Sequence, residues 1–407
     1  MALRAWFWVH YRTLFSERLR LMVCSSFTIK KRSEPMSDSR RVYTAIRQAV
    51  KQLYPNEPQG TLARHLNTLA AMTTGIVLSK TTHLPKVATK VPGPTKPLSR
   101  VKKYERWIRN DAIASQVYFL PFVQDLLTGL AGLRTLVLVM DGSEVGRGCL
   151  ALLVSVVYQG RALPLAWVVV KGRKGHFPAQ THVALLAQVT PLLPAEAEVV
   201  FLGDGEFAGI GLQAAVEAEG YAYVCRTASN ILVYHEDVWR PVRAMEVEKG
   251  ECLMWSGVGF TQANYGPVQV IAWWEAGYAE PLYLVTNLAS EEEACGWYRK
   301  RAHIETFFSD QKSRGFQLHK SHLADPARLA RLMIAACLGY LWLIYLGALA
   351  MRTHWCKVIH RTDRCDLSLF QLGLRLLDHF LDEALPLPVA FQPAPARSKV
   401  VTLKSVR

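Results

Sequence analysis

Two short runs constrain this fold more than any other feature of the chain. Residues Thr135 to Met140 (TLVLVM) are continuously apolar and rich in β-branched types, the pattern of a strand covered on both faces. Asp141-Gly142-Ser143 follows directly. Sixty-three residues later Glu198 to Leu202 leads through Gly203 into Asp204-Gly205-Glu206. A strand buried on both sides needs helices over it, so the chain reads as α/β. An Asp-Gly pair is a common turn at a strand end, and either Asp taken alone reads as one. Taken together they place two carboxylates where buried strands stop, each beside a Gly that lets a ligand approach the backbone.

A third acid lies in another pattern. Tyr298, Arg301, Glu305 and Lys312 are spaced by three, four and seven residues. At about 100° per residue they fall in a sector of roughly 80° on a helix. Trp297, Ile304 and Phe308 form an adjoining apolar stripe that can hold that helix on a core. By itself the polar row reads equally well as a solvated face with Glu305 paired to Arg301. If the fold brings Asp141, Asp204 and Glu305 together, their mutual repulsion calls for a divalent cation. Oxygen-only ligands select hard ions such as Mg²⁺ or Mn²⁺, and two ions about 4 Å apart suit phosphoryl transfer.

Asp141, Asp204 and Glu305 resemble the Asp-Asp-Glu triad of insertion-sequence transposases. Tyr298, Arg301, Glu305 and Lys312 match all four positions of the Tyr-x2-Arg-x3-Glu-x6-Lys signature of the "insertion sequence four" type. The likeness covers about residues 135 to 350. It implies an RNase H-like core, a mixed sheet flanked by helices, that cuts DNA at transposon ends and joins them to a target. The three acids would hold two Mg²⁺, with Mn²⁺ able to substitute. Water and then a DNA 3′-hydroxyl would be the nucleophiles, and Tyr298, Arg301 and Lys312 would grip the DNA. It also implies a homodimer on paired DNA ends and a base-stacking Trp in a β insertion, for which Trp255, Trp273 and Trp274 are candidates.

Charge supports a polyanionic partner. The net charge is +15, and residues 1 to 110 carry 21 Lys and Arg against 5 Asp and Glu. A Pro-interrupted basic connector precedes a helix containing Tyr104 and Trp107, with Lys102, Lys103, Arg106 and Arg109 as candidate contacts to duplex DNA. The expected layout is a dispensable extension (1–35), a helical basic DNA-binding region (36–130) and the first part of the core (131–226). An all-β insertion (227–290), the rest of the core (291–382) and a flexible tail (383–407) follow. Within these, a helix is expected over 41–53, another over 60–84 broken near Thr73 to Gly75, and a hairpin turning at Gln159-Gly160.

The eight Cys form no CxxC pair, which fits a reducing cytosol and, by the resemblance, a nucleoid-associated bacterial protein. His354, Cys356, His360 and Cys365 fit no common zinc template. Leu332 to Met351 is uncharged and long enough to span a bilayer, but reads as a buried helix of a protein without a membrane partner. Three other functions compete with transposition: a catalytically silent DNA-binding derivative, another RNase H-like nuclease, and a membrane protein.

Overall fold

The computed structural model describes residues 36–393 apart from 131, 133–134, 173–176 and 362–363. The expected extension at 1–35 and the end of the expected tail lie outside the described residues.

Ten strands form a continuous sheet in the order β3-β2-β1-β4-β5-β10-β9-β8-β6-β7. Its first half consists of β1 (Thr135–Gly146), β2 (Cys149–Tyr158), β3 (Arg161–Lys171), β4 (Glu198–Gly203) and β5 (Ala222–Thr227). β1, β2 and β3 are antiparallel neighbours, whereas β4 and β5 run parallel to β1. Three antiparallel strands followed by two parallel ones reached through helices is the RNase H-like arrangement. The turn between β2 and β3 falls at Gln159 and Gly160, both with positive φ (44° and 73°), as a two-residue hairpin demands.

The β insertion is not a separate body. β6 (Leu232–His235), β7 (Val238–Pro241), β8 (Cys252–Phe260), β9 (Tyr265–Trp273) and β10 (Leu282–Thr286) extend the same sheet. β10 pairs antiparallel with β5 from Tyr283↔Thr227 to Thr286↔Val224. The pairing satisfies a strand edge that β5 would otherwise leave open.

Helices cover the sheet and build the N-terminal region. The first spans Asp38–Gln52, close to expectation. The second, Gly60–Ser79, runs unbroken through Thr73 to Gly75, against expectation. Those residues serve packing instead. Thr74 donates to Ala70 O (2.8 Å), and Gly75 lies so near Val87 that a Cβ would fall 2.5 Å from a methyl carbon. The basic helix is Pro97–Arg109, with Pro at its start. It buries Tyr104, Trp107 and Ile108 and exposes Lys102, Lys103, Arg106 and Arg109.

The long apolar helix spans Pro326–Arg352 and is long and apolar enough to cross a membrane, but 89% of its most apolar window is buried inside the fold. Trp342 is fully buried and donates to Pro388 O (3.0 Å). The helix packs against Leu369–Asp382 through two reciprocal glycines. A Cβ on Gly347 would fall 1.9 Å from Leu369 O, and one on Gly373 would fall 1.9 Å from Leu343 O. Gly347→Ala must push the two helices apart, with an expected loss of about 1–3 kcal/mol. A urea titration checks this; an unchanged midpoint would contradict the packing.

Part of the expected tail is also core. Arg41 donates to Leu385 O (2.5 Å), and Phe391 is buried edge-on against Phe122 (5.0 Å between centroids). The apolar residues between the prolines have a helical surface to cover, so the chain continues across it to at least Phe391.

Candidate active site

Asp141 and Asp204 flank the crevice where the parallel pairing of β1 and β4 ends. The last matched pair is Val139↔Leu202. β4 stops at Gly203, whose missing Cβ admits Phe207; a Cβ there would lie 2.4 Å from that of Phe207. Asp204 then caps a short 3-10 turn, its Oδ1 accepting from Glu206 N (3.0 Å). β1 does not end at Met140 as the sequence implied. Its antiparallel partner β2 carries it on to Gly146, with Asp141 opposite Leu153. Asp141 is therefore a strand residue, held rigidly on one side and open to the crevice on the other.

The expected helical stripe is not one helix. A helix over Glu291–Tyr298 gives way to a 3-10 segment, Arg299–Ala302, and a second helix, His303–Gln311. Lys312 is the C-cap of the latter, with non-helical φ −102° and ψ −109°. The tighter 3-10 turn rotates Arg301 relative to an ideal α-helix. Ile304, Phe307 and Phe308 still anchor the second helix in the core.

This rotation puts the guanidinium of Arg301 among all three acids. Its Nη2 donates to Asp204 Oδ2 (2.8 Å) and Asp141 Oδ2 (3.2 Å), and its Nη1 to Glu305 Oε1 (3.2 Å). Its Nε is buried without a partner among the described residues. Asp141 also accepts from Gly142 N (2.7 Å). Tyr298 is buried at the end of its helix, and burial pushes its hydroxyl up to about 12, so it stays a neutral donor near pH 7. Lys312 reaches back to β1 and donates to Ser143 Oγ (2.6 Å); burial lowers its ammonium below the usual value.

Burial raises Asp141 from 3.8 to about 6, against the opposing pull of Arg301. The folded chain thus keeps this proton up to about pH 6, while the unfolded chain releases it near 3.8. Between those values the folded state binds more protons, so this group's contribution makes stability fall as pH rises. Without divalent ions, Asp141→Asn is expected to flatten the stability profile between pH 4 and 6; an unaltered slope would contradict the burial effect.

A cleft of about 930 Å³ opens over Asp141 and Asp204. Asp141, Asp204 and Glu206 line it together with Arg226 and Arg243. Sequence reasoning passed over Glu206, Arg226 and Arg243, since no local spacing marks them. Glu206 accepts from Phe177 N (2.6 Å) and contacts His182 Nε2 (3.2 Å), tying the segment after β3 to the crevice.

The basic helix does not line this cleft. Lys103 and Arg106 border a smaller one of about 410 Å³, shared with Arg64, His65, Asn67 and Asn110. The candidate tryptophans all have internal partners. Trp255 stacks on His235 (5.0 Å), Arg299 covers Trp273 (4.7 Å), and Trp274 donates to Tyr278 O (3.1 Å). Trp239, 42% exposed, is more open than any of them, although its ring also packs on Tyr234 (5.3 Å). His360 pairs with Asp366 (2.7 Å).

The family model described as "Transposase DDE domain" matches residues 138–342, and the chain belongs to that family. All three acids lie within the matched span. Among solved structures, the chain is similar to piggyBac transposase in a synaptic complex with hairpin DNA, at 12% identity over 88% of this chain and 83% of that one (TM-score 0.42). It is also similar to human ENDOV, at 10% identity over 54% of this chain and 95% of that one (TM-score 0.22). No curated protein matches the sequence.

Proposed function

We propose that this member of the transposase family cuts DNA at insertion-sequence ends and joins the freed 3′ ends to target DNA, using Asp141, Asp204 and Glu305. The observation that carries the proposal is the meeting of three carboxylates, from β1, the end of β4 and a later helix, on the one guanidinium of Arg301. Such a cluster costs too much electrostatic energy to persist without a cation.

The donor set fits hard divalent ions, because every ligand is a carboxylate oxygen and the site already collects positive charge. With the guanidinium between them, no three acids among the described residues stand close enough to share an ion. Asp141, Asp204 and Glu305 are the residues that would hold Mg²⁺ or Mn²⁺, with the Arg301 guanidinium displaced from between them. A bound pair of ions supplies activation of the attacking oxygen and neutralisation of the leaving one.

The chain's own groups do the rest. A DNA phosphate offers Arg301 a bidentate partner in exchange for the carboxylates. Lys312 contributes a second positive charge at β1. Tyr298, kept neutral, offers a hydrogen bond to a phosphate oxygen. Lys102, Lys103, Arg106 and Arg109 present an exposed basic face to duplex DNA away from the reacting phosphate. Two chains acting on paired ends, in the bacterial cytoplasm, complete the proposal.

The test uses a fragment carrying the element's end repeats together with target DNA, in Mg²⁺. Joined end-target products are expected. Hydrolysis without joining would reassign the chain as another RNase H-like nuclease. Binding with no cutting would make it a silent DNA-binding derivative.

A further inference from the structure

The cleft over Asp141 and Asp204 holds cations that the proposed reaction has not used. Arg226 and Arg243 both line it with Asp141 and Asp204, and both are exposed. Neither guanidinium makes a hydrogen bond or ion pair with another described residue, in contrast to Arg301, which makes three. Their placement follows from the sheet. The last matched pair between β4 and β5 is Gly203↔Cys225, so Asp204 and Arg226 are the next residues on two adjacent strands, about 5 Å apart in backbone. β10 follows on the other side of β5, with Leu284 opposite Arg226 and Tyr283 opposite Thr227. Arg243 joins this end of the sheet through its turn, where its N–H donates to Ser229 O (2.9 Å). Its charge acts on the Tyr283 hydroxyl, as that of Arg226 acts on Tyr298.

The strand ends therefore form a row. Acids stand over β1 and β4, Arg226 over β5, and Arg243 beside β10. We propose that Arg226 and Arg243 form a phosphodiester-binding track that holds the DNA strand on one side of the cut, leading its backbone from the three acids across the ends of β5 and β10. The proposal rests on the DNA-cutting reading above and adds where the strand lies. A polyanion running along the row meets two unpaired guanidinium groups, each suited to bidentate phosphate contact. Thr227, Ala228 and Ser229 between them are small enough to let a backbone lie close. Glu280, which also lines the cleft, repels phosphate and limits the favourable stretch to the two arginines.

The test measures binding in EDTA, so that no metal-dependent step enters. Fluorescence anisotropy compares the full chain with Arg226→Ala/Arg243→Ala on three duplexes: one spanning the cleavage position, and one truncated on each side of it. On the spanning duplex the double variant is expected to bind about 100-fold more weakly, at about tenfold per lost charged contact. Its log-log salt slope should be shallower by about 2. On one of the truncated duplexes the two proteins should converge. Equal affinity and equal slope on the spanning duplex would overturn the track while leaving the DNA-cutting reading intact. Failure of the unaltered protein to bind any duplex would overturn that reading and the track with it. A melting curve superimposing on that of the unaltered protein confirms that the exposed substitutions leave the fold intact.

Discussion

Asp141→Asn is expected to reduce end nicking by about 10³-fold or more while leaving DNA binding nearly unchanged. The substitution preserves shape, and the side-chain oxygen can still accept from Gly142 N. What it removes is a negative charge at the point where β1 and β4 part. Losing one anionic ligand forfeits several kcal/mol of transition-state stabilisation, at a factor of ten per 1.36 kcal/mol. Glu305→Gln should behave in the same way, although Glu305 is well exposed and comes from a different element. The measurement is a nicking time course over a Mg²⁺ titration, with affinity recorded in parallel. Full-rate nicking by both variants would show that these acids do not carry the chemistry.

Arg301→Ala carries the second large effect, and it is a stability effect before it is a catalytic one. The Arg301 side chain is 18% exposed and contacts Asp141 at 17% and Asp204 at 32%. Removing it leaves like charges facing one another in a partly desolvated crevice. Breaking a buried pair costs about 3–5 kcal/mol, and the partial exposure here lowers the expectation to about 2–3 kcal/mol in metal-free buffer. The acids would then be free to gather around a divalent ion, which stabilises the folded state by mass action. Mg²⁺ should therefore raise the melting temperature of the variant more than that of the unaltered protein, whose guanidinium competes for the same carboxylates. Equal Mg²⁺ shifts for the variant and the unaltered protein, each measured against an EDTA baseline, would place the ions elsewhere. Loss of the Arg301–phosphate contact should also weaken DNA binding.

Much of this arrangement is legible from local pattern, because local pattern reports burial and period. The unbroken apolar runs at 135–140 and 198–202 announce strands covered on both faces, and both are observed as adjacent parallel strands. The 332–351 run similarly marks a helix that the fold encloses. The 3-4-7 spacing of Tyr298, Arg301, Glu305 and Lys312 identifies the residues of a polar row, of which Arg301 reaches the acids and Lys312 reaches β1.

The errors share a cause. Periodicity assumes that an element continues until a residue stops it, whereas here neighbours decide. β1 runs past Asp141 because β2 still pairs with it. The helix through Thr73 to Gly75 continues because small residues there answer an adjacent helix. The row of four breaks into two helices and a 3-10 turn, which no spacing foretells. The insertion joins the core sheet because β5 has an edge to share.

By itself, then, the order of residues determined which strands and helices form and which acids stand beside them, since those depend on side chains a few positions apart. Only the tertiary structure decided that Arg301 meets three carboxylates and that Arg226 and Arg243 face the same cleft. Those meetings depend on strand register and on charges 160 and 97 residues apart being desolvated together, and no local periodicity encodes either.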